Sequence, residues 1–231
     1  MSEHPLKLLC SMATRELLAA LADDYRRAGG RGVATEAAGG VDVAKRIEAG
    51  EPADVVVLAA NAIDKLISAG KLLAGSRVDL VRSGVSVAVR AGAAKPDIGT
   101  EEAVKRAVLA AQSLSYSTGP SGVYLEKLFA RWGILEDIGA RIVVPRPGVA
   151  VGSLIASGAV ELGFQQLSEL LNVRGVEVVG PLPSSIQTTT IFSGAISPHS
   201  EDRDEARALL DYLASPATAS FKQRHGMEAA D

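Results

Sequence analysis

Residues Ala159–Leu171, AVELGFQQLSELL, decide how this chain is read. Val160-Glu161-Leu162-Gly163-Phe164 is a short apolar strand that runs straight into Gln165-Gln166. Leu167–Leu171 then opens a helix with Ser168 and Glu169 in its first turn. Strand, polar tip and helix, in that order, is how open α/β sheets present groups to a small ligand at the carboxyl ends of their strands. A glutamine pair offers donors and acceptors but no general base. The stretch therefore predicts recognition of a small polar ligand rather than acid–base chemistry.

The same alternation runs outward in both directions. Strand Leu6–Cys10 ends at Ser11. A helix follows from Thr14 with Leu17, Leu18, Leu21 and Ala22 on one face, and Gly29-Gly30 stops it. Strand Val33–Ala37, helix Val41–Ala49, strand Asp54–Ala59 and helix Ile63–Ala69 continue the pattern. Beyond Val85–Arg90, the spacing predicts helix Glu101–Ala111, strand Ser113–Ser117, helix Ser121–Trp132, strand Ala140–Val144 and helix Val149–Ser157. After Ala159–Leu171 come strand Val176–Val179, the long β-branched stretch Ile186–Ile196, and helices Glu205–Ala214 and Ala217–His225.

Val85–Arg90 and Ile186–Ile196 break the rhythm, being extended strands without a partner helix. The expected architecture is α/β in two lobes, each with a mixed, mostly parallel sheet, joined by these two crossing hinge strands. Lobe 1 is residues 1–84 and 197–231, lobe 2 residues 85–196, with a cleft that closes by hinge motion. A single doubly wound domain is the simpler alternative.

Composition narrows the function. Of 231 residues, 47% are hydrophobic but only 4% aromatic, which suits α/β layers rather than aromatic platforms for nucleic acid. A formal charge of −3 and a pI near 5.7 leave no basic footprint, so no nucleic-acid or anionic-membrane partner is expected. Cys10 is the single cysteine, and His4, His199 and His225 lie far apart in sequence, so no disulfide, metal site or cofactor is expected. No apolar run approaches the ~20 residues that span a bilayer. The N-terminal MSEHPLKLLCSMAT does not read as a secretory signal. The chain as written is expected in the cytoplasm, or in the periplasm if a signal was trimmed or mis-assigned, and as a monomer.

Four polar stops precede helices: Ser11-Met12-Ala13-Thr14, Gly39-Gly40-Val41-Asp42, Ser117-Thr118-Gly119-Pro120-Ser121-Gly122 and Arg146-Pro147-Gly148. Helix starts carry unpaired N–H groups and partial positive charge, so several in one cleft make an anion site. Each taken alone reads better as ordinary capping, while the four together with Gln165-Gln166 point to a shared site. Arg15 reads as a surface side chain, while Arg90 and Arg146, ending strands, stay open between surface and carboxylate binding. Asp42 reads as a cap that inside a cleft could take a proton. Glu169 reads as a first-turn partner of the helix dipole, Tyr116 and Tyr124 as core or cleft wall, and Cys10 as a small core residue.

Three further segments carry a resemblance. Ala44–Ala59 (AKRIEAGEPADVVVLA), Pro120–Ile134 (PSGVYLEKLFARWGI) and Ala208–Gly226 (ALLDYLASPATASFKQRHG) resemble, respectively, the IEAG-x-PADV stretch, the PAGxYAxxxLxxxG helix and the last two helices of molybdate-binding type II periplasmic solute-binding proteins. The resemblance spans roughly Leu6 to Met227. It implies an oxyanion held by serine hydroxyls, amides at helix starts and one tyrosine. By position, Ser11 or Met12 stands at the first loop, Gly39-Gly40 at the second, Ser121 at the third, Gly148 at the fourth and Gln165 at the tyrosine. Ser117 and Thr118 line the third stop.

The second loop has no serine and the tyrosine is a glutamine, a change that fits an organic carboxylate better than molybdate. The resemblance also implies an ABC transporter membrane subunit as a partner. The wider family includes an aconitate isomerase, which is the enzymatic alternative, with Asp42 or Cys10 as its candidate bases. A regulator's ligand-sensing domain is the third reading.

Overall fold

A computed structural model describes residues 4–146 and 148–230. Its contacts divide the chain into two compact units, Met1–Arg82 with Ile191–Asp231, and Ser83–Thr190. The chain passes from one to the other inside two strands, β4 (Val78–Arg90) and β8 (Thr189–Ile196). This division puts Ile191–Ile196 with the first unit, where these residues pair with β3 (Val55–Ala59). Among the described residues no helix is long and apolar enough to cross a membrane.

In the first unit, β2 (Val33–Ala38), β1 (Leu6–Ser11), β3 and β8 lie side by side in that order. The first three run parallel and β8 runs against them. Side chains of a strand alternate between faces, and here both faces are apolar. Leu6, Leu8, Cys10, Val55 and Val57 pack against α1 (Arg15–Arg27) and α9 (Arg203–Ala214). Leu9, Val56 and Leu58 pack against α2 (Gly40–Glu48) and α3 (Ala60–Ser68).

The IEAGEPADV stretch works as a staple for this sheet. Asp54 accepts the Lys7 N–H at 2.8 Å and the Ser200 hydroxyl at 2.7 Å. Glu51 accepts from Arg46 at 2.6 Å and from Lys7 at 3.0 Å.

In the second unit, β5 (Leu114–Tyr116), β6 (Leu162–Gln166), the later part of β4, and β7 (Val176–Pro181) form a mixed sheet. Strand β6 runs parallel to β5 and antiparallel to β4, and β7 is antiparallel to β4. Three strands thus run one way and one the other. Val85, Val87, Val89, Leu162 and Phe164 meet Val104 and Val108 of α4 (Glu101–Ala110) and Leu125, Leu128 and Phe129 of α5 (Pro120–Arg131). On the opposite face, Gly163 has no side chain because α7 (Val151–Ala156) lies there. A Cβ on Gly163 would stand 2.8 Å from Val151 Cγ1 and press on Ile155.

Three expectations are corrected. Ala140–Val144 is not a strand: Gly139–Arg141 is a 3-10 turn, and Ile142 makes a single bridge to Leu114. Its apolar residues pass beside β5, where the Ser115 hydroxyl donates to the Val143 carbonyl at 2.7 Å, without building a ladder. The strand drawn over Ile186–Ile196 begins only at Thr189. Ahead of it, Ile186 is buried in the apolar core of the unit and the Gln187 amide pairs with both the N–H and C=O of Val85, at 2.9 and 3.0 Å. Finally, β6 extends through Gln165 and Gln166, which the sequence reading placed beyond its end.

Candidate functional site

The first unit brings the first two polar stops together. β1 ends at Ser11 and turns through a 3-10 segment, Met12–Thr14, into α1. The hydroxyls of Ser11 and Thr14 are 3.4 Å apart, and Thr14 donates to the Ser11 carbonyl at 3.1 Å. Both residues are buried and Met12 is half-buried. The start of α2 lies beside them, since a Cβ on Gly40 would be 3.7 Å from that of Ser11. Gly39 caps α2, and the Asp42 carboxylate folds back over it, 2.9 Å from where a Cβ would stand. Thr14, the last residue of the first polar stop, is a member of this cluster.

In the second unit β5 runs through Ser117-Thr118-Gly119 into α5. The Ser117 and Ser121 hydroxyls are 2.8 Å apart. Ser121 is buried and Thr118 exposed. Pro120 has no N–H, so Ser121 supplies the first helical amide. Gly122 admits a close approach, because a Cβ there would overlap the Ser117 carbonyl oxygen.

Gln165 stands on the neighbouring strand. The β5–β6 register ends with Tyr116 beside Phe164, the residue before Gln165. The pair Gln165-Gln166 is not an open polar tip. Both are buried, at 3% and 4% exposure, and both spend their amides inside the unit. Gln165 Oε1 accepts the Gly152 N–H in the first turn of α7 at 3.2 Å, and its Nε2 donates to Glu169 Oε1 at 2.8 Å. Gln166 meets the Thr190 hydroxyl at 3.0 Å. With its amide oriented to satisfy its neighbours, Gln166 accepts from that hydroxyl and donates to the Ser83 and Gly84 carbonyls at 2.9 and 3.0 Å.

Glu169, read from sequence as a dipole partner, is thus a carboxylate fixed by a buried amide, in the turn that follows β6. The neighbouring Ser168 hydroxyl is buried with no hydrogen-bond partner among the described residues.

The fourth stop is less gathered. Gly148, at φ +79, lies in an exposed turn closed by the Val149 N–H on the Arg146 carbonyl at 2.9 Å. Pro147 lies outside the described residues, and α7 begins only at Val151. Arg146 and Arg90 are exposed, and Arg15 pairs with Glu16 on the surface at 2.7 Å. Tyr124 donates to the Ile186 carbonyl at 2.9 Å, and Tyr116 packs edge-on against Phe129. Burial pushes the Tyr116 hydroxyl above its ordinary range, with a smaller contribution from the Glu126 charge.

Electrostatics limit the chemistry. Burial pushes the Cys10 thiol up to about 12, so it stays protonated at neutral pH and is neither nucleophile nor base. Among the described residues no three His, Cys, Asp or Glu side chains gather to hold a metal ion. Each unit instead offers hydroxyls and helix-start amides, groups that hold an anion by hydrogen bonding.

A model of the family described as bacterial extracellular solute-binding protein matches residues 6–228. An aconitate isomerase from Pseudomonas sp is 42% identical over 187 residues, 80% of this chain and 71% of that protein. Among solved structures, the periplasmic molybdate-binding protein of Azotobacter vinelandii superposes with a TM-score of 0.82 at 21% identity, covering 98% of this chain and 100% of that one. The sulfate-binding protein SubI of Mycobacterium tuberculosis gives 0.80 at 16% identity, covering 99% and 88%. These two likenesses concern the fold.

Proposed function

The chain belongs to the bacterial extracellular solute-binding protein family, and from that premise we propose that it holds a small organic polycarboxylate of the aconitate class and moves its double bond. The observation that carries this reading is the 42% identity to an aconitate isomerase over most of the chain. Local chemistry supports it. The hydroxyl pair Ser117–Ser121 at the start of α5 suits one carboxylate of such an acid. The Gln165 amide, committed to Gly152 and Glu169, replaces the tyrosine hydroxyl expected for an oxyanion such as molybdate.

The test is ¹H NMR of the full chain with trans-aconitate in D₂O, beside a thermal-shift measurement. The expected outcome is growth of cis-aconitate signals, deuterium entering the methylene position, and a higher melting temperature with ligand. A thermal shift without exchange would leave the second reading, which the family description itself favours: a receptor that delivers a small oxyanion or carboxylate to an ABC transporter. No shift with aconitate, molybdate or sulfate would remove both.

A further inference from the structure

The chain enters the second unit at Ser83 and leaves it at Thr190, and side-chain amides of that unit hold both points. Gln166, the last residue of β6, is 4% exposed. Its amide oxygen accepts from the Thr190 hydroxyl at 3.0 Å, and its amide nitrogen donates to the Ser83 and Gly84 carbonyls at 2.9 and 3.0 Å. One side chain therefore bonds both crossings.

Gln187 makes a second link from the departing segment to the entering one. Its Oε1 accepts the Val85 N–H at 2.9 Å and its Nε2 donates to the Val85 carbonyl at 3.0 Å. The same Oε1 accepts the Thr188 N–H at 3.0 Å, which fixes the amide on its own segment. Gly84 has no side chain where this amide passes, and a Cβ there would lie 3.2 Å from Gln187 Cδ and Nε2.

Glutamine suits both places. Its amide has a donor and an acceptor, so one residue can satisfy carbonyls on one strand and a hydroxyl on another. Being neutral, it neither titrates nor weakens through salt screening of charge. On the far side of each crossing the first unit takes hold: Arg82 pairs with Glu228 of β9 (Glu228–Ala229), and Phe192 with Ala59 of β3.

We propose that the Gln166 and Gln187 amides form a neutral clamp that sets where this chain bends. The second unit is stiff as far as Ser83 and Thr190, and bending falls on the bonds just outside it, from Arg82 to Ser83 and from Thr190 to Phe192. The two crossings turn together because Gln166 holds both. The clamp does not depend on the reaction proposed above and serves a receptor and an enzyme alike.

The experiment puts one spin label in each unit of the full chain, through Asp23→Cys and Lys127→Cys, both exposed positions, and reads the distance distribution between them by double electron–electron resonance. Cys10, fully buried, takes no label. Gln166→Met in this labelled parent is expected to widen the distribution about twofold. Thr190→Val, which frees only the exit, should widen it less, and adding it to Gln166→Met should change nothing further, since both remove the same bond. Gln187→Met should speed hydrogen exchange of the Val85 amide by about tenfold or more. A folded Gln166→Met protein whose distribution is as narrow as the parent's overturns the inference, even with a lowered Tm, because lost stability is all that a merely structural amide would give. If Gln166→Met does not fold, an unchanged width in Thr190→Val overturns it instead. Unchanged Val85 exchange in Gln187→Met likewise overturns the clamp.

Discussion

Replacing Gly122 with alanine tests whether the start of α5 is built around a missing side chain. The added Cβ would overlap the Ser117 carbonyl oxygen and lie 2.7 Å from its carbonyl carbon. Gly122 is inside a helix, so intrinsic propensity alone favours alanine by about 1 kcal/mol. The obstacle is backbone, which has no alternative rotamer, so the loop Ser117–Gly119 must move. That strains the Ser117–Ser121 contact of 2.8 Å and the bonds from the Gly122 and Val123 amides to the Gly119 carbonyl, at 3.0 and 3.1 Å.

Overpacking of this kind costs about 3 kcal/mol, at the upper end of the usual range, because nothing flexible can yield. Subtracting the propensity gain of about 1 leaves a net loss of about 2 kcal/mol, or about 4–8 °C in Tm for a chain of this size. Gly139→Ala is the control, since it has a helical φ of −52 and nothing within 4 Å of its Cβ. It should change stability by less than about 1 kcal/mol, in the stabilising direction. Urea unfolding followed by circular dichroism measures both. A Gly122→Ala protein as stable as Gly139→Ala, or more so, would refute the close-approach argument.

Gly163→Ala should destabilise by about 1–2 kcal/mol, less than Gly122→Ala because Val151 and Ile155 side chains can give way. Adding Ile155→Val should recover part of it, and strict additivity in the double-mutant cycle would count against the packing described. Hydrogen bonds from Arg46, then Lys7, hold the Glu51 carboxyl at about 2. Because that value lies below the ordinary 4.5, its stabilisation is complete above pH 4.5 and is lost as pH falls toward 2; Arg46→Ala should move the Glu51 titration upward in NMR, and an unmoved titration would remove Arg46 as its cause. The Cys10 thiol, pushed up to about 12 by burial, should not react with a disulfide reagent at pH 8 until the protein unfolds, and stoichiometric labelling of the native chain would contradict its burial.

Much of the fold is legible because burial writes itself into apolar spacing. Strand β3 is a continuous apolar run, and β1 one broken only by Lys7 before its closing Ser11, because helices cover both their faces, and such runs stand out in any reading. Helices α1 and α9 show their buried faces as Leu17, Leu18 and Leu21, and as Leu209, Leu210 and Leu213. The same rule misleads at Ala140–Val144, where apolar residues lie beside a strand without pairing along it. It misleads again at Ile186, whose burial is that of a turn residue, closed by its N–H on the Pro183 carbonyl at 2.9 Å. Apolar character reports burial, and only the backbone's hydrogen-bond partners make a strand.

Local order along the chain determined the α/β class and the polar helix starts, because propensity and capping depend on residues close in sequence. The tertiary structure alone decided what those groups do. Ser11 meets Gly40, Ser117 meets Ser121, and the Gln165 amide is consumed between Gly152 and Glu169. A glutamine looks alike in sequence whether its amide faces a ligand or its own protein, because hydrogen bonding depends on which atoms come within about 3 Å, and that is set by packing.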